Sequence, residues 1–252
     1  MPILPEFSLA GRAAILATSG GDQAPLLAQA LVEAGASVFT IARTQPLLDA
    51  VLDGLPGTGN QKGAVIGSPS SESLRTAMAE FGLAHGRLDI LVNDNRSMFA
   101  KPFTEITLEE WDEVHSRNVK FTFMLCQEAG LRMTQQGYGR IVNVVSELAE
   151  RGMANGAAFA ASQASLLSLT RSLGVEWGRS NVRVNALGMG WFSSEDLPLE
   201  VQREDLVVRY TPLRRLGHPR DIGPLLVYLC SEACDYTTGQ PVYVDGGLNA
   251  HP

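Results

Sequence analysis

The chain has 252 residues, of which 45% are hydrophobic and 19% charged, and its formal net charge at pH 7 is −7. This composition excludes a disordered chain and argues against nucleic-acid binding. We find no apolar run long enough for a membrane span and expect no signal peptide at the start of the chain. The three cysteines, Cys126, Cys230 and Cys234, lack CxxC or metal-binding spacing, which indicates reduced thiols in a cytoplasmic protein.

Short β-branched runs alternate with longer segments of helical periodicity along the chain. The predicted strands cover residues 13–17, 37–41, 63–66, 89–92, 140–145, 182–186 and 242–244. The predicted helices cover residues 23–34, 45–55, 70–85, 107–135, 157–178 and 219–230. Residues 187–211 are rich in Ser, Glu, Asp and Pro, and we expect this segment to be irregular.

The strand–helix alternation predicts a single doubly wound, Rossmann-like α/β domain over residues 1–252. Its sheet should have seven mainly parallel strands covered by helices on both faces, because the strands are almost continuously apolar. Such sheets bind ligands beyond the carboxyl ends of their strands, at the topological switch point. Functional residues are therefore expected in the segments that follow the strands.

Several short motifs occur in an order and spacing that is typical of one family. They are Leu91-Val92-Asn93, Asn118, the run from Gly139 to Ser146, and residues 184–186 and 238–247. On these residues the chain resembles the short-chain dehydrogenase/reductase family over nearly its whole length. The resemblance implies the fold described above, NAD(P)-dependent oxidoreduction, and assembly into dimers or tetramers.

Catalysis in this family uses an Asn, Ser, Tyr and Lys set, and the chain matches half of it. Asn118 and Ser146 stand at the first two positions. The tyrosine due thirteen residues after Ser146 is Phe159, and the lysine due one helical turn later is Gln163. A phenyl ring has no proton to exchange, and a neutral amide cannot lower the pKa of a neighbouring group. We interpret Ser146 and Asn118 as remnants of a catalytic set.

The cofactor-binding motifs depart from the family pattern as well. The three glycine positions of the family's phosphate loop are Thr18, Asp22 and Ala24, and a carboxylate at Asp22 would repel a diphosphate. Arg43, after the second strand, is typical of a site for the 2′-phosphate of NADP. We interpret Arg43 and Asn93 as vestiges of a cofactor site. The prediction is that this chain binds no cofactor and that a partner holds NAD or NADP.

The stretch after the fourth strand, Asn93-Asp94-Asn95-Arg96, stands where the family has NNAG. The family's small residues let the adenosine lie against the chain, whereas Asp94 and Arg96 add bulk and charge. We expect Arg43 or Arg96 to turn toward Asp22 and to fill the space that the cofactor would take.

Three functions remain open. The first is a cofactor-free, inert subunit of a hetero-oligomeric dehydrogenase, whose partner is a homologous active short-chain dehydrogenase and whose substrate is an acyl-CoA or another small molecule. The second is a non-redox enzyme that uses Ser146 and Asn118 for elimination or isomerisation. The third is a divergent NADP-dependent oxidoreductase. The apolar helix from Phe159 to Trp177 is the expected partner contact, with residues 247–252 second; no nucleic acid, membrane or metal ion is expected.

Overall fold

In the computed structural model, residues 4–21, 23–55, 62–193 and 197–250 are described. Seven strands form one sheet in the order β3-β2-β1-β4-β5-β6-β7, and every pairing is parallel. The strands are β1 (Ala13–Thr18), β2 (Ser37–Ala42), β3 (Lys62–Val65), β4 (Ile90–Asp94), β5 (Gly139–Ser146), β6 (Val182–Met189) and β7 (Pro241–Val244). The prediction of one doubly wound α/β domain is confirmed.

Helices cover both faces of this sheet. They are α1 (Ala24–Glu33), α2 (Gln45–Asp53), α3 (Ser71–His85), α4 (Leu108–His115), α5 (Phe121–Gln136), α6 (Ala157–Trp177), α7 (Leu199–Gln202), α8 (Leu206–Tyr210) and α9 (Gly223–Cys230). Side chains of α1, α2 and α9 pack on one face, and those of α3, α5 and α6 pack on the other. The apolar strands are buried on both sides as a result, which explains why their sequences do not alternate.

The helix predicted over residues 107–135 begins where expected but is not continuous. Thr107 Oγ1 accepts a hydrogen bond from the Glu110 amide at 3.2 Å, and Glu110 Oε2 accepts one from the Thr107 amide at 2.9 Å, so the predicted capping box is present. A π-helical turn over Ser116–Lys120 then separates α4 from α5. Such turns occur frequently at functional sites, and this one contains the fully buried Asn118.

The segment predicted to be irregular contains regular structure. Strand β6 continues to Met189, and the short helices α7 and α8 follow. Asp205 starts α8, because its carboxylate accepts a hydrogen bond from the Val207 amide at 2.9 Å. The sequence did not predict these helices, because α7 and α8 have only four and five residues and are too short to show a helical periodicity.

Two sequence-based expectations concern residues outside the described ranges: Asp22 in the phosphate loop and the tail at residues 251–252. Within the described ranges, no helix has both the length and the hydropathy that a bilayer span requires. The same residues contain no cluster of three or more His, Cys, Asp or Glu side chains suited to a metal ion.

Candidate active site

The candidate site lies at the carboxyl ends of β1, β4 and β5, because the strand order reverses between β1 and β4. Parallel α/β sheets bind their ligands in the crevice at this switch point. Thr18 and Asp94, the last residues of β1 and β4, are partners in the register of the two strands. Ser146 ends the neighbouring strand β5. The sheet thus brings the sequence-predicted Ser146 to the same edge as the cofactor motifs.

Ser146 contacts a buried carboxyl group that the sequence analysis did not identify. The Ser146 hydroxyl donates to Glu147 Oε2 at 2.9 Å and accepts from the Leu148 amide at 3.2 Å. Only 3% of Glu147 is exposed. Burial raises the pKa of the Glu147 carboxyl, and the hydrogen bond from Ser146 and the charge of Arg96 oppose that effect only in part. The sequence feature that could have identified Glu147 is an acidic residue directly after a predicted buried strand.

Phe159 and Gln163 occupy the tyrosine and lysine positions as interior side chains of α6. Phe159 is 1% exposed and Gln163 is fully buried. Gln163 Oε1 accepts a hydrogen bond from the Ser146 amide at 3.0 Å, and Gln163 Nε2 lies 3.5 Å from the Ser162 hydroxyl. Gln163 therefore holds the end of β5 against α6 as a neutral hydrogen-bonding group, and neither residue can exchange a proton.

Asn118 is connected to this cluster through Ser162. Asn118 Nδ2 donates to the Ser97 carbonyl at 3.1 Å and to Ser162 Oγ at 3.0 Å, and Asn118 Oδ1 accepts from the Ser97 amide at 2.8 Å. The side chain thereby links the segment after β4 to α6. The structure brings Asn118, Ser146 and Gln163 into one hydrogen-bonded network, in which Ser162 is a member that the sequence analysis missed.

The two residues interpreted as cofactor vestiges have different surroundings. Asn93 is buried, and its Nδ2 donates to Asn143 Oδ1 at 2.9 Å, so it joins β4 to β5 inside the sheet. Arg43 directly follows β2 and is partly exposed. Its Nη2 donates to the Gly67 carbonyl at 3.2 Å, which places the guanidinium between the segments that follow β2 and β3.

Arg96 forms an ion pair at the switch point, but its partner is Asp94. Arg96 Nε and Nη2 both lie 2.9 Å from Asp94 Oδ1, and Thr18 Oγ1 donates to Asp94 Oδ2 at 3.2 Å. Asp94 is fully buried, and burial raises the pKa of its carboxyl against the opposing effects of Arg96 and Thr18. The expected contact of Arg96 with Asp22 lies outside the described residues, and Arg43 turns to Gly67.

Comparisons with known proteins agree with this fold. A family profile described as enoyl-(acyl carrier protein) reductase matches residues 24–249. The 2-dehydro-3-deoxy-D-gluconate 5-dehydrogenase of Bacillus subtilis is 31% identical over 250 residues, which are 96% of each chain. The chain therefore belongs to the short-chain dehydrogenase/reductase family, whose members include active dehydrogenases and reductases.

Solved structures of relatives have the same fold and include bound cofactor. A gluconate 5-dehydrogenase from Burkholderia cenocepacia in complex with NADP and tartrate has a TM-score of 0.84 and 26% identity, and the match covers 98% of both chains. A proposed NAD(P)-dependent gluconate 5-dehydrogenase from Beutenbergia cavernae, with NADP bound at low occupancy, has a TM-score of 0.82 and 33% identity. That match covers 97% of this chain and 99% of the relative.

These structures overturn the prediction that this chain binds no cofactor and leaves NAD or NADP to a partner. Relatives with this fold bind NADP in the same chain. The physical reason is that the switch-point crevice is formed by the strands of one sheet, so each chain of this fold builds its own dinucleotide cleft. The intact sheet therefore predicts cofactor binding more reliably than the missing glycines predict its loss.

The described residues fit NADP at the adenosine end of such a cleft. Arg43 follows β2, where a guanidinium suits the 2′-phosphate that distinguishes NADP from NAD. At the opposite end, Gln163 would offer the nicotinamide ribose a neutral amide that already binds the Ser146 amide. The fit is therefore good for the adenosine phosphate and lacks a charged anchor beside the nicotinamide.

Proposed function

We propose that this chain is a divergent NADP-dependent oxidoreductase that interconverts a carbonyl and an alcohol with the Ser146–Glu147 pair as its proton-transfer group. The hydrogen bond between Ser146 Oγ and Glu147 Oε2 carries this proposal. This bond places a titratable carboxyl group beside the hydroxyl that contacts the substrate carbonyl in the family. Phe159 and Gln163, at the tyrosine and lysine positions, cannot titrate. Arg43 supports NADP over NAD as the cofactor.

Residues of this chain can supply the proton that the carbonyl oxygen receives during reduction. Glu147 is buried and its pKa is raised, so the carboxyl retains a proton at higher pH than an exposed glutamate. In the direction of reduction Glu147 Oε2 carries a proton, and its hydrogen bond with Ser146 then runs from the carboxyl group to the hydroxyl, opposite to the structure. Ser146 Oγ gives its own proton to the carbonyl oxygen as it receives the proton of Glu147. When bound, NADPH would supply the hydride to the carbonyl carbon. Solvent then returns a proton to Glu147, and the reverse transfers apply to alcohol oxidation.

The test is the Glu147→Gln variant, assayed for NADPH oxidation with 5-ketogluconate and with acetoacetyl-CoA as probes. Loss of a general acid typically lowers turnover by about 10²–10⁴-fold, while NADPH affinity should be unchanged. The rate of the wild-type chain should fall as pH rises through the pKa of Glu147, because the proton donor is lost. The matched control is Glu150→Gln, an exposed glutamate three residues further along the chain. Unchanged turnover in Glu147→Gln would contradict the role of Glu147.

A second candidate function is a subunit of a hetero-oligomeric dehydrogenase that contributes structure while a homologous active chain performs the reaction. The buried Phe159 and Gln163 favour it, because they complete the interior of α6 without any exchangeable proton. On this candidate we infer a resemblance to the non-catalytic subunit of the heteromeric 2-[hydroxy(phenyl)methyl]succinyl-CoA dehydrogenase of anaerobic toluene degradation, and the complex would then take a hydroxyacyl-CoA substrate.

The surface between α5 and α6 supports a partner of this kind. A groove of about 890 Å³ lies there and extends along α4 and the π-helical turn, and Phe123 and Leu169 are among the side chains that line it. A helix pair from a homologous chain would cover these apolar groups. Co-expression with homologous chains from the same organism, followed by native mass spectrometry, tests this candidate. A complex that gains NADPH turnover absent from the separate chain favours it over the first proposal.

A further inference from the structure

A buried ion pair, Arg96–Asp94, lies at the edge of the sheet where the proposed function places the dinucleotide. Thr18 ends β1 and Asp94 ends β4, and the hydrogen bond from Thr18 Oγ1 to Asp94 Oδ2 crosses the boundary at which the strand order reverses. The Gly20 amide donates to Thr18 Oγ1 at 3.2 Å, so the first residues of the phosphate loop belong to the same network. Arg96 completes it with its two contacts to Asp94 Oδ1.

Arg96 interacts electrostatically with carboxyl groups that follow two neighbouring strands. It is paired with the fully buried Asp94, and its charge partly offsets the burial that raises the pKa of Glu147. Its side chain is 14% exposed. A long cationic side chain held in this way lies directly after β4, at a position where the resemblance implies small residues beside the cofactor.

We propose that Arg96 determines the affinity of the chain for the dinucleotide by closing the crevice in the unliganded protein. The inference rests on the proposed NADP-dependent function, in which the cofactor enters at this edge of the sheet. For entry, the guanidinium leaves Asp94 and swings out of the crevice. This movement breaks a paired, buried charge and exposes Asp94 to the incoming phosphates, so the closed arrangement competes with binding.

The alternative role for Arg96 is that of a direct phosphate ligand, which would strengthen binding. The geometry favours closure, because the charge of Arg96 is already neutralised by Asp94 and two of its nitrogens contact the same carboxylate oxygen. Arg43 differs in this respect, since its Nη2 donates to the neutral Gly67 carbonyl. The two arginines should therefore have opposite effects on cofactor affinity.

The experiment compares NADPH dissociation constants, measured by isothermal titration calorimetry, for the wild type and for Arg96→Ala. The variant should bind NADPH at least about tenfold more tightly, because the apparent affinity rises with the fraction of open crevices. Because Arg96→Ala leaves the Asp94 carboxylate unpaired beside the phosphates, the double variant Asp94→Asn/Arg96→Ala is measured as well, and its gain should be at least as large. Arg132→Ala, a change at an exposed arginine in the last turns of α5, is the control and should match the wild type.

Each remaining outcome has a distinct meaning. If the wild type binds NADPH and both Arg96 variants bind it equally well or less well, the closure is refuted while the proposed function stands. Weaker binding in particular would make Arg96 a phosphate ligand. If no variant binds NADPH, including the double variant, both the closure and the NADP-dependent function are refuted. If only the Arg96 variants bind, the closure is supported in its strongest form.

Discussion

Gln163 illustrates how one side chain can change the chemistry of a site while keeping its architecture. The family lysine at this position is a cation, whereas Gln163 accepts a hydrogen bond from the Ser146 amide through its oxygen. A lysine has no acceptor to offer that amide. Phe159, one helical turn earlier, has no phenol hydroxyl that could interact with a cation at position 163. The buried side of α6 therefore carries a neutral pair, Phe159 and Gln163.

We predict that Gln163→Lys destabilises the unliganded chain by about 3–5 kcal/mol, because it buries an unpaired ammonium group and leaves the Ser146 amide unsatisfied. Chemical denaturation with circular dichroism detection measures the change in the free energy of unfolding. The same substitution at the exposed Gln127 of α5 is the matched control and should stay within about 0.5 kcal/mol of the wild type. Equal stabilities of the two variants would show that the site at Gln163 accommodates a cation.

At the scale of elements, α6 has one buried face and one face toward a groove. Phe159, Gln163 and Leu166 are buried against the sheet and its neighbours. Leu169 is only partly buried and lines the groove beside α5. The sequence analysis expected both Leu166 and Leu169 at a partner contact, but Leu166 is 2% exposed and belongs to the core. Of these two leucines, Leu169 is the one whose substitution can test a contact between chains without unfolding the monomer.

We predict that Leu169→Asp shifts the oligomeric state of the protein toward monomers, because a partner seated on the groove would have to bury an unpaired carboxylate. Size-exclusion chromatography with light scattering measures the mass in solution. Val175→Asp is the control on the same helix, since Val175 is 84% exposed. An unchanged mass in Leu169→Asp would exclude the α5–α6 groove as the contact surface.

The other expected partner contact, residues 247–252, is partly packed on its own chain. Leu248 is buried, and its carbonyl accepts a hydrogen bond from Arg151 Nη1. Asp245 holds the turn before it, because its carboxylate accepts hydrogen bonds from the Gly247 and Asn249 amides at 2.9 Å and 2.8 Å. Its described part, residues 247–250, is therefore shaped by contacts within the chain. Its participation in a contact between chains stays a prediction.

The whole molecule buries all three cysteines, and they share no disulfide. Cys126 packs under α5, while Cys230 and Cys234 lie at the end of α9 and in the turn after it. Burial raises the pKa of Cys126 to about 12, and burial also raises the pKa values of Cys230 and Cys234. The three thiols therefore remain protonated and shielded in the native state.

We predict that Ellman's reagent at pH 8 labels the native chain only as fast as the protein opens globally, because thiolate formation requires exposure. All three thiols should react together, and denaturant should accelerate them in parallel. The chain unfolded in guanidinium chloride is the control and should release three equivalents at once. Rapid labelling of a single cysteine in the absence of denaturant would reveal local opening near that residue.

Much of the fold follows from local patterns that the sequence carries directly. Apolar runs, helical periodicity and the Thr107 capping box act within a few residues of one another, so strand and helix positions, the doubly wound class and Ser146 at the end of β5 were all predictable. The boundaries were less certain, as the π-helical turn around Asn118 demonstrates, because an extra residue in a helix leaves no periodic signature.

The sequence by itself determined the family, the order of the elements and the absence of the catalytic tyrosine and lysine, since these depend on residue identity and spacing along the chain. Only the tertiary structure decided which side chains meet across elements. It paired Arg96 with Asp94 and Thr18 at the switch point, placed Glu147 on Ser146, and locked Gln163 to the end of β5. Two of these four contacts, Thr18–Asp94 and Ser146–Gln163, join residues that are distant in sequence. The protonation of Asp94 and Glu147 depends on burial, which no local pattern records.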